Sequence, residues 1–93
     1  MTQTIQVLKS LANETRLSIA CELARRGYEV AGSDILTSCS MALNLAQPTL
    51  SQHFTKLVAA GVLNERKAGV EKFYTLNTAL LDKCGINLNA IEE

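Results

Sequence analysis

Along most of this chain apolar residues recur at steps of three and four, the spacing that lays them on one face of an α-helix. Near the start Ile5, Leu8 and Leu11 or Ala12 keep that step. Asn13 then offers an N-cap, and Glu14 follows in a first turn where a carboxylate meets the positive end of a helix dipole. The second helix carries Leu17, Ala20, Cys21 and Ala24 on one face and closes on Arg25, Arg26 and Gly27, two cations and a C-cap glycine. Residues 28–32 read as a connecting loop. Ser33 can cap a third helix with Asp34 in its first turn and Ile35, Cys39, Ala42 and Leu43 turned inward.

Asn44 breaks that helix, being one of the few residues with a full side chain that tolerates the left-handed turn between two crossing helices. Pro48 sits where a helix accepts proline, at or beside its first position. Leu50, Phe54, Leu57 and Val58 then follow at i, i+4, i+7 and i+8, and Thr49, Gln52, His53 and Lys56 occupy the opposite face, flanked by Gln47 and Ser51. Gly61 ends this helix. Residues 62–67 and 70–76 are rich in β-branched, aromatic and long side chains, with Ala68-Gly69 as the turn, and predict a two-stranded hairpin. A last helix can start at Asn77 and places Leu81, Cys84, Leu88 and Ile91 at the seam spacing of paired helices, although Gly85 weakens it by about 1 kcal/mol and can divide it.

The expected architecture is therefore mainly α with a β-hairpin wing: about five helices and two antiparallel strands in one domain over residues 1–93. Helix, tight turn and amphipathic helix followed by a hairpin is a winged helix-turn-helix. With 47% apolar residues, four aromatics and no Trp, the core has to be built from Leu, Ile, Val and Ala.

Nine Lys and Arg balance nine Asp and Glu, so net charge announces no partner. Distribution says more. Lys56, Arg66, Lys67 and Lys72 face only Glu65 and Glu71 between positions 47 and 76, and the acidic excess lies elsewhere, in Asp82, Glu92 and Glu93 among others. No apolar stretch approaches the ~20 residues of a membrane span. No basic-then-apolar leader opens the chain, which leads to the expectation of a soluble cytoplasmic protein without membrane association. Three well-separated cysteines, Cys21, Cys39 and Cys84, form no CxxC pair and suit a reducing compartment better than a disulfide framework or a structural zinc site.

The helix near Gln47 carries the chemistry. A major groove admits one helix, and short polar side chains near its N-terminus read base edges: Gln pairs with adenine, and Ser and Thr contact any base. Gln47, Thr49, Ser51, Gln52 and His53 are such side chains, with Lys56 a turn further on. Arg66, Lys67 and Lys72 on the hairpin are placed for phosphate or minor-groove contacts. The face is also that of an ordinary solvated helix, and His53 equally suits a contact to a neighbour. A winged-helix module that binds a protein instead of DNA is the alternative reading. An enzyme is not indicated, since the single histidine lies on this face with no nucleophile, base and orienting group to assemble around it. No cofactor is expected.

The segments LKSLANETRLSI, ALNLAQPTLSQHFTKLVAAGVL and ERKAGVEKFYTL resemble the ArsR/SmtB family of bacterial transcriptional repressors over residues 7–76. The resemblance implies a homodimer paired through the first and last helices, here Ile5, Leu8, Leu81, Cys84, Leu88 and Ile91. It also implies a double-stranded operator with two half-sites, released when an inducer, not specified by the sequence, acts. Members that sense thiophilic metals carry third-helix cysteines at positions aligned with Ile35, Thr37 and Ser40, none of which is a soft ligand here. Members with a metal site on the last helix pair Asp with His, and Asp82 has no such partner, so no metal site is expected. Cys21 aligns with a second-helix cysteine of oxidant-responsive members, for which Cys84 is the available partner. A buried Cys21 acting as a small hydrophobe is the other reading. Asn44 replaces the family's usual glycine, Ala46 provides no side-chain cap, and the loop before Ser33 is longer than usual.

Overall fold

Local signals set the helix ends. The Asn13 side chain accepts a hydrogen bond from the Arg16 N–H at 3.0 Å and starts α2 (Glu14–Arg26), which Gly27 closes at φ +71° with its N–H on the Leu23 carbonyl. The computed structural model describes residues 2–91. Glu92 and Glu93, counted in the acidic excess, lie outside the described residues. In chain order come α1 (Thr2–Leu11), α2, β1 (Val30–Ala31), α3 (Gly32–Leu43), α4 (Gln47–Ala59), β2 (Leu63–Ala68), β3 (Glu71–Leu76), α5 (Thr78–Lys83) and a closing 3-10 turn (Leu88–Ala90).

The sheet has three antiparallel strands in the order β1-β3-β2, one more than the hairpin alone. Val30 pairs with Tyr74 and Ala31 with Phe73, so part of the expected connecting loop joins the wing. Helix α3 follows at once from Gly32, with extended Ala31 at its N-cap and no side-chain cap. Ser33 therefore lies inside the helix, and its hydroxyl donates to Glu71 Oε1 at 3.3 Å. Within α3, Ile35 and Cys39 are buried, whereas Ala42 is exposed, contrary to its expected inward place. The hairpin turn is Gly69-Val70, since Ala68 still pairs with Glu71; Gly69 supplies φ +64° and Val70 stands exposed at the tip.

Val7, Ile19, Leu23, Ile35, Leu50, Phe54, Leu57, Val62 and Leu63 are the largest fully buried side chains. Burying each contributes about 1.5–3 kcal/mol. On α1 the inward face is Val7, Ser10 and Leu11, while Ile5 and Leu8 are 47% and 51% exposed. Apolar spacing alone does not say which of two overlapping stripes faces the core.

The chain's last segment departs most from expectation. Helix α5 ends at Lys83, and Gly85 at φ +71° turns the chain, with the Ile86 N–H bonded to the Leu81 carbonyl at 2.9 Å. Leu81 and Leu88 are both buried in the domain's own core, and the turn holding Leu88 packs on α2. The stripe Leu81, Cys84, Leu88, Ile91 is thus not one helical seam, because a left-handed glycine rotates everything after it out of register.

Candidate nucleic-acid interface

Helix α4 sorts its side chains by face. Leu50, Phe54 and Leu57 are buried, and the Phe54 ring meets Tyr74 of β3 with centroids 5.1 Å apart and planes tilted by 58°. This aromatic contact fixes the helix against the sheet that forms the wing. Gln47, Thr49, Ser51, Gln52 and Lys56 are all exposed on the outer side, as the spacing predicts. Asn44 stands in the turn before α4 at φ +55° and ψ +48°, and the Ser40 hydroxyl donates to the Leu45 carbonyl at 2.6 Å to brace it. Ala46 offers the first-turn amides no side-chain cap, which leaves a positive helix end directed outward.

His53 does not join that outer row. It is half-buried, with Nδ1 3.3 Å from Arg16 Nη1. Burial foremost, then the charges of Arg16 and Lys56, hold its imidazole below the ordinary value. Its Nδ1 accepts from the guanidinium in the neutral form, so His53 ties α4 to α2.

The three basic wing residues have different surroundings. Arg66 gives Glu29 two hydrogen bonds, at 2.9 and 2.7 Å, and its guanidinium lies 4.5 Å from the Phe73 ring centroid. Lys72 approaches Glu65 at only 3.9 Å. Lys67 forms no ion pair among the described residues and stands directly opposite Lys72 in the β2–β3 ladder. Like charges facing across a ladder are unfavourable, and Lys67 is the wing cation left without an ion-pair partner among the described residues. Glu65, across from Tyr74, is drawn back toward the sheet: burial and then this carboxylate push the Tyr74 phenol up to about 12.

Two residues near the site escaped sequence reasoning. Thr55 is exposed, but its hydroxyl is spent on the Ser51 carbonyl at 3.0 Å. Arg16 bridges three helices, with Nε donating to the Ser10 carbonyl of α1 at 2.6 Å while Nη1 meets His53. A cation in the first turn of a helix works against the helix dipole, and that anomaly was the one signal the sequence offered.

The positions aligned with thiophilic-metal ligands do not fit a metal: Ile35 is core, Thr37 is an exposed hydroxyl and the Ser40 hydroxyl braces the turn. Among the described residues no group of three His, Cys, Asp or Glu gathers to hold one. Cys21 is buried on α2, and the Cys84 thiol lies 3.6 Å from the Thr4 hydroxyl on α1. No described helix is long and apolar enough to cross a membrane.

No protein-family model matches the chain. Among individual proteins, it is 37% identical over 76 residues to the transcriptional activator HlyU of Vibrio cholerae, covering 82% of this chain and 65% of that one. It is 38% identical over 85 residues to an arsenical resistance operon repressor of Staphylococcus aureus, covering 91% and 76%. In three dimensions it superposes on HlyU from Vibrio cholerae with TM-score 0.68 at 34% identity over 90% of this chain and 86% of that one. An ArsR-like transcriptional regulator from Rhodococcus gives TM-score 0.71 at 26% identity over 90% and 74%. With its winged helix-turn-helix and relatives of this closeness, the chain belongs to the ArsR/SmtB family of transcriptional regulators.

Proposed function

We propose that this chain is a sequence-specific regulator that acts in the cytoplasm, binds duplex operator DNA as a homodimer and represses the genes beside it. The observation that carries this reading is the row Gln47, Thr49, Ser51, Gln52 and Lys56, exposed together on a helix whose other face is locked to the wing through Phe54 and Tyr74. Such a helix enters a major groove N-terminus first, with Gln47, Thr49, Ser51 and Gln52 at base edges and Lys56 toward the backbone. Lys67 and Lys72 supply phosphate or minor-groove contacts from the wing. His53 acts behind the face, through Arg16, and Arg66 acts at the wing only when Glu29 releases it. Two copies place their α4 helices in successive major grooves about 34 Å apart.

Fluorescence anisotropy against the DNA upstream of the protein's own gene tests the reading. Binding should weaken steeply with salt. Gln52→Ala should cost about 1–3 kcal/mol on the operator and little on unrelated DNA. Salt-insensitive binding, or equal losses on both DNAs, would overturn the assignment of α4 as the reading helix.

A further inference from the structure

Lys9 of α1, Arg16 of α2 and Lys56 of α4 line one open cavity of about 380 Å³, together with Gln6, Ser10 and the small side chains of Ala59 and Ala60. No carboxylate lines it. None of the three cations forms an ion pair among the described residues, whereas Arg25, Arg26, Arg66 and Lys72 all do. Gathering like charges without a counter-charge is unfavourable, and the position of Arg16 in the first turn of α2 adds to that. The fold nevertheless holds Arg16 in place through the Ser10 carbonyl at 2.6 Å and His53 at 3.3 Å. Burial is the main reason the His53 imidazole is held below its ordinary value, and the nearby charges of Arg16 and Lys56 add to it from the side of α4.

We propose that this cleft is a second DNA contact, in which Arg16 receives a backbone phosphate with Lys9 and Lys56 on either side. The proposal rests on the DNA-binding reading above. A guanidinium offers a phosphate a rigid fork of donors and an ammonium adds a compact charge, so the trio suits an oxyanion of one or two negative charges. Lys56 belongs both to the cleft and to the exposed row of α4, which makes the cleft continuous with the face that enters the groove. A phosphate held here carries no sequence information; it sets how deeply and at what angle α4 lies.

The experiment measures DNA affinity against salt for wild type, Lys9→Gln, Arg16→Gln, Arg16→Lys and the control Lys83→Gln, an equal charge change on α5 outside the cleft. Each cleft neutralisation should weaken operator and non-operator DNA alike, by roughly tenfold, and flatten the log–log salt slope by about 0.9 for each phosphate no longer neutralised. Arg16→Lys should keep the wild-type slope, and so should Lys83→Gln. Thermal unfolding accompanies each variant; if Arg16→Gln fails to fold, Lys9→Gln, whose side chain makes no hydrogen bond among the described residues, carries the test. Wild-type slopes in Lys9→Gln and Arg16→Gln on a wild type that binds DNA overturn the cleft and leave the role of α4 standing. A wild type that binds no DNA overturns both. Inorganic phosphate titrated at constant ionic strength, followed on the ring signals of His53, the chain's only histidine, separates a free-anion site. Saturation by millimolar phosphate together with unchanged DNA slopes would refute a backbone contact.

Discussion

Glu29 and Arg66 show how a charge that looks free in sequence can already be engaged. They sit 37 positions apart, yet β1 brings the carboxylate to the edge of the wing, and the guanidinium both answers it and covers Phe73. The Arg66 partner holds the Glu29 carboxyl below the usual carboxylate range, so the pair stays formed at neutral pH. Glu29→Gln should free the guanidinium, remove a negative charge beside the wing, and strengthen DNA binding several-fold at low salt, with a steeper salt dependence. Unchanged anisotropy titrations would make Arg66 a strut and leave Lys67 and Lys72 as the wing's contacts. His53 predicts a pH effect. Its folded-state value lies below the ordinary 6.5, first because burial disfavours the charged imidazolium and then because protonation would set it against Arg16 and Lys56; protonation would also remove the acceptor at Nδ1. Between the folded and unfolded values the unfolded chain binds more protons, so the stabilisation is complete above pH 6.5 and is lost as pH falls through the folded value. Denaturant unfolding from pH 8 to pH 5 should show that decline in wild type and a smaller one in His53→Gln.

At the scale of elements, the recognition helix has an identifiable defect. Ala46 lies at φ −68° and ψ 145°, the extended geometry of an N-cap, but brings no oxygen to the amides of the first turn. Ala46→Ser should add about 1 kcal/mol, which raises Tm by roughly 4–8 °C in a domain of this size. Scanning calorimetry checks it, and a Tm that stays put would mean those amides are already satisfied by solvent. The capping arithmetic that makes Ala46 conspicuous is the same that made α2 and α4 legible: Asn13, Gly27, Asn44 and Pro48 each carry a local conformational preference, and each acts where its neighbours suggest. Strand β1 was not legible, because two residues are too few for alternation to show and its pairing with Tyr74 and Phe73 is a tertiary event. The last helix failed differently. Leu81, Cys84, Leu88 and Ile91 keep a helical interval in sequence, but Gly85 adopts φ +71° and Leu88 gains more by covering α2 than by extending α5. In the candidate site the exposed row of α4 followed from periodicity, while the roles of Arg16 and Glu29 depend on contacts between elements that no local pattern encodes.

At the scale of the molecule, the zero net charge conceals a division: carboxylates engage Arg25, Arg26, Arg66 and Lys72, while Lys9, Arg16, Lys56, Lys67 and Lys83 keep no ion-pair partner among the described residues. A second division concerns apolar surface. Leu81 and Leu88 belong to the core, so the exposed remainder of the expected dimer set is Ile5 and Leu8 on α1 and Ile91 beyond the final turn, the last 40% exposed. A domain of this length buries only about 60–65% of its unfolded surface, and covering these exposed apolar side chains with a second copy would add burial it lacks. The proposed dimer therefore predicts that wild type sediments as a dimer at micromolar concentration and that its Tm rises with concentration. The double substitution Ile5→Glu with Leu8→Glu should yield a folded monomer, because both side chains already face solvent in the isolated domain and their replacement leaves Val7 and Leu11 in the core. Operator affinity should then fall by at least roughly 10²-fold, the avidity forfeited when two half-sites no longer bind through one linked pair of helices. Affinity for a single half-site should stay within a few-fold of wild type, since α4 and the wing are untouched. A double variant that still sediments as a dimer would move the interface away from α1, and one that loses half-site binding as well would tie α1 to the DNA face directly.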